Sequence, residues 1–176
     1  MAVWLLVVAV DLERTRDGVT VGPKTARTCD VAAELWRERP GAYVCAPAGW
    51  SRKHGVFMGR GPMRDYLRTT GGIASSCIVT PADRNAEFNT HGETTTFVQA
   101  LEVYGDYRPR VRIVARHWHA PRVLALLTAR LRESRITPTA VDVVPVPSGA
   151  VLERYVREPV AWLKNLPNLR VQPDSS

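Results

Sequence analysis

The chain contains four histidines, and each lies in a polar segment that follows an apolar, strand-like run: His54, His91, His117 and His119. Histidine is the usual general acid or base near neutral pH, because its unperturbed imidazole titrates there. His119 stands at the start of a predicted helix, and Arg122 lies in the first turn of that helix. The free N–H groups of a helix N-terminus and the fork of an arginine both favour anions. This segment therefore predicts an anion-binding site in which His119 handles a proton and Arg122 contacts the ligand.

A second polar segment, with the sequence NTHGE, begins another predicted helix. Thr90 and Glu93 are spaced as in a capping box, in which each side chain satisfies a backbone N–H at the helix N-terminus. The pattern has two interpretations: these residues only cap the helix, or Asn89 and Thr90 also contact a ligand. In the second interpretation Glu93, or Asp11 after the first strand, orients His119 or transfers a proton.

The segment HWH, residues 117–119, has two further interpretations. Its residues are surface groups at a helix entry, or its two histidines bind a metal, because alternate side chains of an extended segment share a face. A metal site needs a third ligand, for which His91, His54 and Asp11 are the candidates. A metal-bound water would then be the nucleophile of a hydrolase. The leading hypothesis requires no metal.

Apolar runs and helical patterns alternate along the chain, which predicts an α/β domain with a doubly wound, mostly parallel, five-stranded sheet. The predicted strands are Val3–Val10, Ala42–Ala46, Ser76–Thr80, Arg110–Ala115 and Ala140–Val146. The predicted helices are Lys24–Arg37, Pro62–Leu67, Thr90–Tyr104, Pro121–Arg132 and Ser148–Lys164. Residues 11–23, 47–61 and 81–88 are predicted loops. The first strand is apolar on both faces, as at the centre of a parallel sheet, whereas Pro145 places the last strand at an edge.

Ligands of open parallel sheets bind beyond the carboxyl ends of the strands, so the polar residues that follow the strands are expected to meet at one edge. The candidate ligand contacts are Arg27, His54, Asn89, Thr90, Arg116 and Arg122, and the candidate catalytic groups are His119, Glu93 and Asp11. Trp50, Phe57 and Met58 are expected to line a pocket, to cover it or to form a homodimer contact. One domain is predicted over residues 1–166, with a frayed tail at residues 167–176.

Several common motifs are absent from the sequence. Neither GxxxxGK[ST] nor GxGxxG occurs, and Gly59-Arg60-Gly61 does not complete a phosphate-binding loop. The GxSxG turn of serine hydrolases is also missing. These absences argue against a P-loop enzyme, a dinucleotide-dependent dehydrogenase and a serine hydrolase of that type.

The charge balance favours an anionic small molecule as the ligand. The chain has 24 Lys and Arg against 17 Asp and Glu, a formal net charge of +7, and arginine dominates the basic set. Guanidinium forks suit phosphate and carboxylate. Because the basic residues are scattered and form no stripe, nucleic-acid binding is not favoured.

The cysteines and the amino-terminal run predict a cytoplasmic protein. Cys29, Cys45 and Cys77 are odd in number and form no CxxC pair, which indicates buried, reduced thiols. The run Met1–Val10 lacks a charged leading region and is too short to span a membrane, so a buried strand fits it better than a signal peptide.

Four short segments occur in an order that resembles a known family. They are a helix with Thr25, Arg27 and Ala32, the helix start Asn89-Thr90-His91-Gly92-Glu93, the post-strand segment Trp118-His119-Ala120-Pro121-Arg122, and the strand end Val144-Pro145-Val146-Pro147. In this order they resemble a bacterial family named after SanA, YdcF and ElyC. The chain departs from that family at several positions: Ala9-Val10-Asp11 replaces glycines, Ala46-Pro47-Ala48-Gly49 replaces a Ser-Gly-Gly-like turn, Gly59-Arg60-Gly61 replaces an acidic residue, Arg116 replaces a serine, and Glu93 stands one place late.

The resemblance implies a Rossmann-like three-layer sandwich and adds Thr25 to the expected ligand contacts. It implies a nucleotide-type ligand, with S-adenosylmethionine as a candidate cofactor. The leading hypothesis is accordingly an enzyme, a hydrolase or transferase, that acts on a phosphorylated or nucleotide-like small molecule. A non-catalytic nucleotide-binding or S-adenosylmethionine-binding module and a metal-dependent hydrolase are the alternatives.

Overall fold

The computed structural model describes residues 2–57 and 61–147, and every statement below concerns those residues. The strands are β1 (Val3–Val7), β2 (Leu12–Thr15), β3 (Gly18–Val21), β4 (Tyr43–Cys45), β5 (Ala48–Ser51), β6 (Val56–Phe57), β7 (Ile78–Val79), β8 (Ala82–Glu87), β9 (Arg110–Arg116) and β10 (Ala140–Val146). The helices are α1 (Pro23–Glu38), α2 (Pro62–Thr69), α3 (Thr90–Val103) and α4 (Ala120–Glu133), and a 3₁₀ turn covers Ser75–Cys77. None of these helices is long and apolar enough to cross a membrane.

Five strands form one parallel sheet in the order β10-β9-β1-β4-β7, which confirms the predicted α/β class. All five residues of β1 are buried, because an apolar strand in the middle of a parallel sheet is covered on both faces. β10 lies at the edge, where the missing N–H of Pro145 costs no ladder hydrogen bond. Both positions agree with the sequence prediction.

The helices cover the two faces of the sheet, so the fold is a three-layer sandwich. Leu5 and Val7 of β1 pack with residues of α1 and α2, whereas Trp4 and Leu6 pack with residues of α3 and α4. This division follows from the alternation of side chains along a strand. Each face therefore has its own apolar core.

The strand order places a topological switch point between β1 and β9. From β1 the chain adds β4 and β7 on one side, and then returns to add β9 and β10 on the other. Helices then leave the carboxyl ends of the two central strands in opposite directions, which opens a crevice between them. Ligands of doubly wound sheets bind in this crevice.

Two small β-structures occupy segments that the sequence predicts as loops, and those loop predictions are wrong in part. β2 and β3 form an antiparallel hairpin within residues 11–23, and β5 pairs with β6 and β8 within residues 47–61 and 81–88. Apart from the six-residue β8, their strands have four residues or fewer, too few for a clear alternation pattern. They follow the carboxyl ends of β1, β4 and β7, so they stand at the edge of the sheet that carries the crevice.

Element boundaries differ from the predicted ones by a few residues. The first strand ends at Val7, not Val10, and the chain then turns towards α1. Ser76 and Cys77 belong to the 3₁₀ turn before β7. The predicted helix Ser148–Lys164, the tail at residues 167–176 and positions 58–60 lie outside the described residues.

Candidate functional site

Four polar side chains are buried at the carboxyl ends of the two central strands. β1 and β9 run side by side, with Val7 opposite Val114, so the chain leaves both strands at neighbouring points. The exposed fraction is 3% for Glu93, 5% for His119, 7% for Arg116 and 7% for Thr90. Burial of such groups costs free energy unless hydrogen bonds or opposite charges compensate for it. Their partners therefore define the site.

One group of residues, which we call the α1-side group, comprises Asp11, Thr25, Arg27 and Arg116. The carboxylate of Asp11 accepts hydrogen bonds from the backbone N–H of Thr25 (2.8 Å) and of Lys24 (3.3 Å). The Thr25 hydroxyl donates to the Asp11 carbonyl at 2.6 Å and accepts from the N–H of Asp11 at 3.0 Å. The side chain of Asp11 thus lies at the positive end of the α1 dipole.

Gly22 makes room for this arrangement. A Cβ added at Gly22 would lie 2.6 Å from Cγ of Asp11 and within 2.9 Å of both carboxylate oxygens. Only a residue without a side chain leaves the carboxylate this close to the helix. The pair Gly22-Pro23, a glycine before a proline at the first helical position, is a sequence signal for this helix start that the prediction did not use.

Arg116 is the last residue of β9, and its cationic side chain is buried beside Asp11. Burial lowers the pKa of Arg116, the charge of Asp11 raises it, and the charge of Arg27 lowers it. Among the described residues, Nε of Arg116 has no hydrogen-bond partner. The α1-side group therefore contains a buried guanidinium with an unused donor, on which the charges of a carboxylate and of a second guanidinium act.

The second group, which we call the α3/α4-side group, comprises Thr90, Glu93, His119 and Arg122. Nη2 of Arg122 lies 2.8 Å from Nδ1 of His119 and 3.2 Å from the Thr90 hydroxyl. A guanidinium has only donors, so Nδ1 must accept and carries no proton. Nε2 of His119 then carries the proton and donates to the Thr90 hydroxyl at 3.1 Å. The imidazole is neutral in this arrangement and links the first turns of α3 and α4.

Glu93 reaches from α3 to the end of β1, where one carboxylate oxygen accepts a hydrogen bond of 3.0 Å from the N–H of Ala9. Burial raises the pKa of Glu93 to about 7, although the Ala9 N–H and the charge of Arg122 oppose this rise. A carboxyl group of this kind can both donate and accept a proton near neutral pH. Burial, followed by the charge of Glu93, also raises the pKa of the Cys45 thiol.

The prediction of a Thr90–Glu93 capping box at the start of α3 is wrong. The N-cap of α3 is Asn89, whose side chain accepts from the N–H of Gly92 at 2.9 Å, and the expected Thr90–Glu93 capping box does not form. Glu93 is directed to Ala9 in the neighbouring layer. A side chain in the first turn of a helix can bond its own helix or a tertiary partner, and the local spacing does not distinguish these.

The two histidines of the HWH segment do not share a face. Residues 117–119 form a turn, not an extended segment, so His117 is exposed and His119 is buried. Among the side chains that the structure describes, no group of three or more His, Cys, Asp or Glu residues is placed to hold a metal ion. The expected third ligands therefore do not converge on the pair.

The remaining candidates are distributed around this edge. Thr25 and Arg27 lie in the first two turns of α1, and Asn89 caps α3. His54 belongs to neither group, because it lies in the turn between β5 and β6, where its backbone N–H bonds to the Ser51 carbonyl. The structural contributions of Gly22 and of the Ala9 N–H were not expected from the sequence.

The fold and these two groups define a Rossmann-like α/β protein with a buried, charged site at the switch point. Comparison of the chain with protein-family models, with curated proteins and with solved structures finds no match in any of the three.

Proposed function

We propose that this chain is an enzyme that acts on a phosphorylated or nucleotide-like small molecule in the crevice between β1 and β9. One observation carries the proposal: the four polar side chains Glu93, His119, Arg116 and Thr90 are all at least nine-tenths buried at the point where doubly wound sheets bind their ligands. Burial perturbs the pKa values of Glu93 and Arg116, and perturbed ionisable groups in a crevice are typical of active sites.

In the proposed reaction Glu93 exchanges the proton, because its pKa of about 7 leaves both protonation states populated near neutral pH. His119 is bonded at both ring nitrogens, so we assign it to positioning Thr90 and Arg122. Arg122 and Arg116 supply positive charge for the anionic group of the ligand, from the two sides of the crevice. Asp11 is engaged at the start of α1 and holds that helix in place.

The second candidate is a non-catalytic nucleotide-binding or S-adenosylmethionine-binding module. The bonding of His119 favours it over an enzyme that uses this histidine as its general base, because a general base needs a free lone pair and the lone pair of Nδ1 accepts from Arg122. The two candidates differ in what happens to a bound ligand. The enzyme converts it to product, and the module retains it unchanged.

We further propose that the chain is a diverged member of the family named after SanA, YdcF and ElyC. In support, Thr25 and Arg27 on α1, the start of α3 and the start of α4 all meet at the same edge of the sheet. Under this proposal the activity is that of a hydrolase or transferase, and S-adenosylmethionine is a candidate cofactor. The protein is then expected in the cytoplasm, as a homodimer. The buried thiols of Cys29 and Cys45 fit a reducing compartment.

A thermal-shift panel tests the site. The probes are AMP, ATP, sugar nucleotides, S-adenosylmethionine, inorganic phosphate and divalent metals. A ligand at one hundred times its Kd stabilises the fold by about 2.7 kcal/mol, which raises Tm by roughly 5–10 °C for a chain of this size. We expect such a shift with a nucleotide-like probe and its loss in Arg122→Gln. Arg132→Gln, in the exposed last turn of α4, is the matched control and should keep the shift. A flat panel with the wild-type chain would contradict the proposal.

Turnover of the bound probe separates the enzyme from the binding module. The wild-type chain and Glu93→Gln are incubated with the probe, and product is followed by chromatography. The enzyme predicts product from the wild type and at least a hundredfold less from Glu93→Gln, with the thermal shift retained. Retention of intact probe by the wild type would favour the module.

A further inference from the structure

Resting on the proposed function, we infer that the anionic group of the ligand is a single phosphate, which Arg116 and Arg27 bind from the α1 side opposite Arg122, and that Asp11 excludes a pyrophosphate from the start of α1. The substrate class is then a phosphomonoester, such as a mononucleotide or a sugar phosphate. Dinucleotides are excluded by the same residue. Three features of the α1-side group lead to this conclusion.

The first feature is that the usual phosphate position is already filled. In doubly wound folds the helix after the first strand donates its free backbone N–H groups to a pyrophosphate. Here the N–H groups of Lys24 and Thr25 donate to the carboxylate of Asp11. A ligand phosphate at this position would have to displace a negatively charged side chain of the chain itself.

The second feature is the close approach at Gly22. In dinucleotide-binding folds a glycine at this turn allows the backbone to approach the pyrophosphate. In this chain the space beside Gly22 holds the Asp11 carboxyl group, whose Cγ would lie 2.6 Å from an added Cβ. The glycine therefore accommodates an internal anion, and the helix N-terminus is satisfied without a ligand.

The third feature is the unused donor of Arg116. This side chain is 7% exposed, and its Nε has no hydrogen-bond partner among the described residues. A buried N–H without an acceptor costs free energy that a ligand oxygen would recover. Arg27, at the exposed side of α1, lies close enough for its charge to act on Arg116. The charges of Arg116 and Arg27 exceed the charge of Asp11 by one, which favours a single phosphate, whereas the additional negative charge of a pyrophosphate meets the carboxylate of Asp11.

Titration calorimetry of the purified chain with inorganic phosphate, AMP, pyrophosphate and NAD tests this inference. We expect the wild type to bind AMP at least tenfold more tightly than pyrophosphate or NAD. Arg116→Gln should weaken AMP binding at least tenfold. Asp11→Asn keeps an acceptor for the Thr25 N–H but removes the charge, and should tighten pyrophosphate binding at least tenfold.

Matched controls separate these effects from general changes of charge. Arg112→Gln alters another arginine of β9, four residues before Arg116. Because side chains alternate along a strand, Arg112 lies on the same face of the sheet as Arg116, about 13 Å closer to the opposite end of the strand. Asp17→Asn removes a carboxylate from the exposed turn of the β2–β3 hairpin. Both controls should bind all four probes as the wild type does. If Arg116→Gln does not fold, Arg116→Lys, which keeps the charge but lacks Nε as a donor, should still lose at least fivefold.

The outcomes distinguish this inference from the proposed function. AMP binding that is equal in Arg116→Gln and Arg112→Gln would overturn the inference and leave the proposed function standing. Pyrophosphate binding as tight as AMP binding in the wild type, or unchanged by Asp11→Asn, would do the same. If none of the probes, and no compound of the thermal-shift panel, binds the wild type, both the proposed function and this inference are overturned.

Discussion

Glu93 is a carboxyl group that the fold removes from water, and this links its proton to the stability of the chain. Burial raises its pKa from the ordinary 4.5 to about 7 in the folded state. Between these values the folded chain holds more protons than the unfolded chain, so the free energy of unfolding falls as the pH rises. The contribution of Glu93 is most favourable below pH 4.5 and is lost by the time the pH passes about 7.

Substitution of Glu93 by Gln should remove this pH dependence. Glutamine keeps the oxygen that accepts from the N–H of Ala9 but never carries a charge. We expect Glu93→Gln to gain stability over the wild type by roughly 3 kcal/mol as the pH rises from 4.5 to above 7. Urea unfolding from pH 4.5 to 8 measures this difference. Glu34→Gln, at an exposed position on α1, is the control, and parallel profiles for wild type and Glu93→Gln would refute the expectation.

Residue types identified most of the candidate site, but not the bonds within it. His119, Arg122 and Glu93 were expected from their place after predicted strands, and the structure brings them to the switch point. Their partners depend on tertiary distances that a local pattern does not contain. The bond from the Ala9 N–H to Glu93 joins residues 84 positions apart, so no helix-capping rule could have predicted it.

Among the secondary-structure elements, α3 depends on Asn89 for its first turn. The Asn89 side chain accepts from the N–H of Gly92, one of the donors that a helix N-terminus leaves without an intrahelical partner. Because Asn89 caps the helix, Thr90 and Glu93 are available for His119 and Ala9. The start of α3 therefore positions two of the buried polar groups.

Removal of the cap should destabilise the chain by a measurable amount. We expect Asn89→Ala to lower the free energy of unfolding by about 1 kcal/mol, which corresponds to a fall in Tm of roughly 2–4 °C. Asn89→Asp, which retains an acceptor and adds a charge favoured by the helix dipole, should stay within 1 °C or so of the wild type. Calorimetric melting measures both variants. Equal losses in Ala and Asp would show that the cap is not the cause.

The long elements were predictable from sequence and the short ones were not. β1 and α4 have clear apolar patterns, and their predicted and observed positions overlap over most of their length. The β2–β3 hairpin has strands of only four residues, so alternation gives little signal. The Asp17-Gly18 pair at its turn is a recognised hairpin signal that could have revealed it. β6 has two residues and forms only because β5 lies beside it.

At the scale of the whole molecule, the sequence predicts alternation of strands and helices but not their order in space. Several sheet orders satisfy the same alternation, and long-range pairing decides among them. The observed order puts β9 beside β1, so that the charge of Asp11 acts on Arg116. The two residues are too far apart along the chain for a local sequence pattern to relate them. The carboxyl-edge rule predicts only the end of the sheet at which these polar residues gather, and the observed strand order then determines which strands form the crevice.

The two apolar cores lie on opposite faces of one sheet, and each contains a cysteine. Cys29 of α1 packs on the face that α1 and α2 cover, and Cys45 of β4 packs on the face that α3 and α4 cover. Burial raises the pKa of Cys29 to about 12 and raises that of Cys45 as well, so neither forms a thiolate readily in the folded chain. Cys77 is only partly buried. The two buried thiols therefore report separately on the two cores, and Cys77, which packs at the margin of the core that contains Cys29, is the most accessible of the three.

If the chain folds as one domain, the two buried thiols should become reactive together. We expect a thiol reagent to label Cys77 in the native chain, and to label Cys29 and Cys45 only as denaturant unfolds it, with one midpoint and one slope. Mass spectrometry of the labelled peptides assigns each site, and circular dichroism on the same samples gives the global transition as a control. Because β1 contributes residues to both cores, loss of one face should expose the other. Labelling of Cys29 at a lower denaturant concentration than Cys45 would contradict this, and would mean that the α1 and α2 layer separates from the sheet before the rest unfolds.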